Sequence, residues 1–244
     1  MRIVLWCLSF AVTIGFFSGQ GHADPGYQLL KLDGHLVKWG PTALKKGAVV
    51  KYAFVTSAMT FPDARNCGAL VPIDGLLAAA QISPAVLRTE VRTAFSMWER
   101  VAAVSFQATD DPSQAQILIG AEGTPEGWAF TNVAYDHVGA GPVRAIEQSL
   151  ICLNPTRPWK VGFGGNGDAY DLRYVFTHEI GHAIGLDHPG PSGELMSFCY
   201  EERFRDLQSG DIAGAVALYG EKTPVMAQAA AGPVETPPGG LLRQ

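Results

Sequence analysis

The chain has 244 residues, 47% apolar and 17% charged. It can build a packed core and is no disordered polyelectrolyte. The formal charge is −5, and no basic run exceeds Lys45-Lys46, which speaks against nucleic acid as a partner. Four cysteines are too few for a disulfide-built miniature scaffold.

Arg2 precedes an apolar run over 3–17, and small polar residues follow over 18–23. That is the order of a secretory signal peptide, and small Gly21 and Ala23 place cleavage after Ala23. The run is shorter than the roughly 20 residues needed to span a bilayer. The mature chain is therefore expected to be secreted or periplasmic and free of the membrane. Cleavage removes Cys7 and leaves Cys67, Cys152 and Cys199. At most one intramolecular disulfide can form among these three, and all three pairings stay open.

Residues 24–47 read as a leader with Trp39 near its end. Residues 48–55 are rich in β-branched and aromatic side chains and predict a strand. Residues 56–81 carry Pro62, Gly68, Pro72 and Gly75 and read as an irregular insertion. Ser83-Pro84 then opens a helix, with Ser as N-cap and Pro in the first turn. Leu87, Val91, Ala94, Phe95, Trp98 and Val101 recur at helical spacing, so this helix lays an apolar stripe on the core. Strand-like runs follow at 104–108, 116–120, 127–134 and 149–153. A second helix is predicted over 171–184. A third covers 207–219, with Ser209 as N-cap and Gly220 as stop. Beyond Lys222 the Pro/Ala/Gly-rich composition predicts a disordered tail over 222–244. The order predicts one α+β domain over 48–221.

The chemistry concentrates in His178-Glu179-Ile180-Gly181-His182-Ala183-Ile184-Gly185-Leu186-Asp187-His188. On a helix, His178 and His182 share one face, one turn apart. Gly185 can take a positive φ, end the helix and turn the chain so that His188 becomes a third ligand. Three neutral imidazoles suit Zn²⁺ with a fourth position left open, the pattern of a catalytic site. Zinc lowers the pKa of bound water towards roughly 7. Glu179, beside His178, is placed to take that proton as general base. A structural zinc site with Cys199 as fourth ligand would leave Glu179 without a role. Ligation by neutral imidazoles predicts that zinc affinity and activity decline together below about pH 6.

This stretch resembles the metzincin signature His-Glu-x-x-His-x-x-Gly-x-x-His. Metzincins place a methionine-bearing turn beneath the zinc. Glu194-Leu195-Met196-Ser197 fits, with Met196 as an apolar floor. Astacins and serralysins have a tyrosine two residues after that methionine, where this chain has Phe198. Matrixins have a tyrosine four residues after it in the wall of the S1′ pocket, and Tyr200 sits at that offset. Segment 207–220 is similar to the final matrixin helix, and Trp39 and 116–119 are similar to weaker landmarks. The resemblance covers about 39–220.

A matrixin-like protein implies an α+β metzincin fold. It has a twisted mixed sheet, two long helices above the cleft, and a small C-terminal subdomain with the Met-turn and final helix. It also implies a zinc endopeptidase acting as a monomer on an extended polypeptide paired to the edge strand 127–134. Tyr200, Phe198 and the loop after His188 would shape an apolar pocket for the residue following the scissile bond. Departures are visible. Pro189 follows the third histidine, as in serralysins. No histidine lies in 145–159, so one zinc is expected, and His137 reads as a surface-loop residue. The leader is too short for a latency domain, and Cys67 reads as a disulfide partner. Calcium is common in the family, and Asp110, Asp111, Asp136, Asp168 and Asp171 could supply Ca²⁺ ligands, although turn carboxylates are the simpler reading. Two rivals are a zinc-dependent binding module that does not cut and an amidase acting on a non-protein amide. The intact Glu179 argues against the first.

Overall fold

The computed structural model describes residues 26–124, 127–165 and 167–222. The signal-peptide segment 1–23 and the tail beyond Lys222 lie outside the described residues.

The segment read as a leader is part of the domain. It forms β1 (Gln28–Leu29), β2 (Lys31–Leu32) and β3 (His35–Lys38), and it ends at fully buried Trp39. The domain therefore starts ahead of residue 48. These strands are too short to show a period of two, which is why the sequence hides them. After β4 (Ala48–Phe54), the insertion is more regular than its prolines suggest. It contains the hairpin β5 (Met59–Thr60) and β6 (Ala69–Val71), then α1 (Asp74–Ala80).

Helix α2 (Pro84–Val101) starts as predicted, with the Ser83 side chain accepting the Val86 N–H at 3.2 Å. Next come β7 (Val104–Ala108), β8 (Ile117–Glu122), β9 (Ala129–Tyr135) and β10 (Val143–Leu153). The last of these begins six residues before the predicted run. A register shift between Ile146 and Gln148 leaves Glu147 exposed there and breaks the alternation. Short β11 (Trp159–Lys160) and β12 (Tyr170–Asp171) lead into α3 (Leu172–Ala183), β13 (Leu186–Asp187) and α4 (Ser209–Tyr219). Residue 209 is inside α4. The N-cap is Gln208, whose N–H is accepted by the Asp211 carboxylate at 2.7 Å.

The main sheet runs β7-β4-β8-β10, all parallel, and β9 closes it antiparallel to β10. β3 extends it by pairing parallel with the first residues of β10. Alternation along β8 sends Ile117 and Ile119 towards the helices and Leu118 to the opposite face. The helix side forms the large core, where Phe95 and Trp98 of α2 meet Phe176 and Ile180 of α3. The buried Trp98 indole donates to the Thr177 carbonyl at 2.9 Å and ties the two helices together. This is the α+β architecture expected from the element order.

On the opposite face, Ala53, Val55, Leu118 and Leu150 are covered by Leu70 and Cys67 of the insertion. Of the three pairings left open, Cys67 bonds to Cys152 on β10, across 85 residues. A loop of that length implies a strong constraint on the unfolded chain. Replacing both cysteines by serine should lower the unfolding free energy by about 3–5 kcal/mol. The shift would be read as a lower urea midpoint under non-reducing conditions. An unchanged midpoint would mean that the crosslink does not restrain the insertion.

Candidate metal centre and cleft

Helix α3 begins at Asp171, whose carboxylate accepts the Tyr174 N–H at 2.8 Å. It presents His178 and His182 on one face. The chain then reverses at Gly185, with φ of 101°. A side chain there would also run into the Val37 carbonyl of β3. Glycine is thus required both for the turn and for the close approach. The turn leads through β13 to His188.

The three Nε2 atoms converge. His178 and His188 are 3.0 Å apart, and His182 is 3.1 Å from each. For two of them the far ring nitrogen fixes what the atom is. His178 Nδ1 lies 2.9 Å from the Leu195 carbonyl and His182 Nδ1 lies 2.9 Å from the Leu186 carbonyl. A carbonyl can only accept, so each Nδ1 carries the proton and each Nε2 is a bare lone pair. Lone pairs aimed at one another at this distance repel unless a cation lies among them. The triangle is slightly tighter than the roughly 3.3 Å edge set by Zn–N bonds of about 2.0–2.1 Å in a tetrahedron. The donor set therefore fits Zn²⁺.

Burial pushes His178 well below the ordinary imidazole range, helped by its two histidine neighbours. It takes His182 down to about 4 and lowers His188. All three are held in the neutral, ligating form. Among the described residues, this is the one cluster of three or more histidine, cysteine or acidic donors, and Cys199 is not in it.

Glu179 is only 6% exposed. Burial pushes its carboxyl up to about 7, against the lowering effect of the Thr131 hydroxyl. That hydroxyl lies 2.7 Å from Glu179 Oε2 and 3.0 Å from the Glu179 carbonyl. Met196 is buried and lies against Gly181 of α3. A side chain at Gly181, between His178 and His182, would collide with the Met196 sulfur and the Trp98 ring. The turn itself hangs from Asp211 of α4, which accepts the N–H groups of Leu195 and Met196 at 2.9 Å each. Neither Thr131 nor Asp211 was singled out from the sequence. Asp211 carried a signal, an acidic residue in the first turn of a helix. Thr131 carried a weaker one, a hydroxyl between Ala129 and Val133 on one face of a strand.

β9 pairs only with β10 among the described residues, so its other edge is free. The strand lies two residues later than the predicted 127–134 at its start and one later at its end. Phe198 stands half exposed at the rim, its ring 6.1 Å from that of His188. Tyr200 is packed rather than open. Its ring stacks on Tyr170 at 4.0 Å and meets Tyr174 edge-on at 4.6 Å. Its hydroxyl accepts the Asp171 N–H. Tyr170 in turn stacks on Trp128, beside the start of β9, at 3.6 Å. Three of the five carboxylates considered for calcium accept backbone N–H groups. Asp111 accepts from Ser113, Asp136 from Val138 and Gly139, and Asp171 from Gly162 and Tyr174. His137 is exposed and packs on the Tyr135 ring.

Comparison with known proteins matches residues 76–220 to a family model described as Matrixin. Metalloendoproteinase 1-MMP of Arabidopsis thaliana is 33% identical over 141 residues, which is 55% of this chain and 38% of that protein. Matrix metalloproteinase-19 of Homo sapiens is 30% identical over 154 residues, 59% and 28% of the two chains. Karilysin of Tannerella forsythia is 29% identical over 135 residues, 53% and 28%. The aligned stretch is well under two thirds of each relative. The family match, 76–220, spans α3, the third-histidine turn and the Met-turn. On that match the chain belongs to the matrixin family, in which a zinc ion is implied at such a histidine triad.

Proposed function

We propose that the protein is an exported zinc-dependent endopeptidase. It would hydrolyse peptide bonds in a polypeptide laid in extended form along β9, with Glu179 as general base. The observation that carries this reading is the convergence of three imidazole Nε2 atoms with a buried carboxylate on the residue adjoining the first of them. His178, His182 and His188 would hold Zn²⁺. When bound, the ion supplies Lewis acidity that polarises the scissile carbonyl and makes water more acidic. Glu179 takes a proton from the attacking water and returns it to the leaving amine. Burial pushes its carboxyl up, which makes it a stronger base for the first half of that task. The free edge of β9 offers backbone donors and acceptors to the substrate main chain. Phe198 and Tyr200 flank the place where the residue after the scissile bond would lie. Export rests on segment 1–23, and the Cys67–Cys152 bond suits an oxidising compartment.

The mature chain from Asp24 and its Glu179→Ala variant should each bind about one zinc. Casein cleavage should drop by roughly 10²–10⁴-fold in the variant. Equal cleavage by both would remove Glu179 from the role of base. Zinc in both with cleavage by neither would turn the reading towards a binding module or a non-protein amide.

Burial also separates two acid effects. A base works only as its carboxylate, so activity should fall as pH drops through the Glu179 range. The value of about 7 is an upper bound, because a dication beside the group favours its ionised form. The imidazoles are held neutral to lower pH, with His182 at about 4. Between about pH 7 and about pH 5, kcat/KM should decline while zinc content by metal analysis stays constant. Zinc lost in step with activity would show that ligand protonation sets the acid limb.

A further inference from the structure

We infer that Thr131 is a positioning residue for the general base: its hydroxyl holds one oxygen of Glu179 against β9 and leaves the other to face the reaction. The inference rests on the reading of Glu179 given above.

The geometry is specific. Thr131 lies in the middle of the edge strand, paired with Ile151 of β10. Its Oγ1 is 2.7 Å from Glu179 Oε2, a distance typical of a hydroxyl donating to a carboxylate. A hydroxyl has one proton. The carboxylate outcompetes the Glu179 carbonyl, 3.0 Å away, because a charged acceptor gives the stronger bond. Glu179 is deeply buried, and among the described residues no other side-chain donor contributes to holding its carboxylate. Left alone, the group would keep rotational freedom about its last side-chain torsion. Fixing Oε2 selects one orientation. It also ties the base to the strand proposed to bind the substrate backbone, so base and substrate share one frame.

The test uses the mature, zinc-loaded protein with Thr131→Val, which keeps the branched shape and removes the hydroxyl, and Thr131→Ser, which does the reverse. Thr131→Val should lower kcat by roughly 10- to 100-fold with KM little changed, and Thr131→Ser should stay within about threefold of the parent. Binding gives a readout independent of turnover. A hydroxamate chelates zinc through two oxygens and passes its hydroxyl proton to a neighbouring carboxylate. A simple thiol takes the metal alone. Thr131→Val should weaken acetohydroxamate and leave mercaptoethanol binding unchanged. In a Glu179→Ala background, Thr131→Val should change hydroxamate affinity no further.

Parent-like kcat and hydroxamate affinity in Thr131→Val, with Glu179→Ala inactive, would overturn this inference alone. Equal losses in Thr131→Val and Thr131→Ser, with a lowered melting midpoint in both, would reduce Thr131 to a packing role and overturn it as well. An active Glu179→Ala would remove the base, and the positioning role with it.

Discussion

The site depends on where α3 stops. Two of the three imidazoles project from that helix, and the third reaches them only because the chain reverses at Gly185. A helix that ends inside a protein leaves carbonyls with no intrahelical donor, and burying them unpaired is costly. Here the Gly181 and His182 carbonyls take the N–H groups of Ile184 and Gly185, and the next three carbonyls find partners from distant parts of the chain. The Ala183 carbonyl accepts the Trp39 indole N–H at 2.8 Å and the Ser149 hydroxyl at 3.2 Å. The Ile184 carbonyl accepts the Tyr219 hydroxyl at 2.7 Å, and Gly185 accepts the Leu30 N–H at 2.8 Å. Burial pushes the Tyr219 phenol up, so it keeps the proton it donates. The same oxygen accepts the Trp39 N–H. Lys38 packs its ammonium over the Tyr219 ring. The N-terminal strands, β10 and α4 therefore meet at one place, the last turn of the helix that carries His178 and His182.

That convergence explains which features the sequence made legible. The three long elements were readable because each carries its own local signal. Ser83-Pro84 opens α2, which holds a broad apolar face at helical spacing, Asp171 caps α3, and Gly220 ends α4. The histidine pattern was readable because its geometry follows from helical periodicity plus one glycine. What stayed hidden depends on partners far away in the chain. β1 is two residues long and exists because Leu186 and Asp187 of β13 lie beside it. The choice of Cys67 and Cys152 depends on the insertion folding over β10. Trp39 was recognisable as a landmark, but its task, capping a helix more than a hundred residues later, was not. Asp211 similarly acts outside its own helix, on the N–H groups of the Met-turn.

The Met-turn shows how little of the site is free to move. His178 is oriented by the Leu195 carbonyl, and Leu195 is itself fixed through its N–H to Asp211. Met196 sits against a glycine because no larger residue would fit there. Asp211 also closes the first turn of α4 through Gln208. Burial pushes its carboxyl up, and the three backbone N–H groups offset only part of that. A buried carboxylate meeting three donors is a rigid bracket, and it links α4 to the ring orientation of the first ligand.

β9 is held from both faces while its outer edge stays open. On the helix side Thr131 reaches Glu179. On the other side the Asn132 side-chain oxygen accepts the N–H groups of Asn66 and Cys67, at 3.0 and 2.8 Å. Those residues belong to the insertion that the Cys67–Cys152 bond fastens to β10. An edge strand with one neighbour would ordinarily be among the softer parts of a sheet, since only one ladder restrains it. Successive side chains point to opposite faces, so two adjacent residues can brace it from above and below without blocking the edge itself. Strand, base and disulfide-anchored insertion form a continuous support. In the proposed reading, that support holds the open edge in one place relative to Glu179, as a cleft that presents one bond to one carboxylate requires.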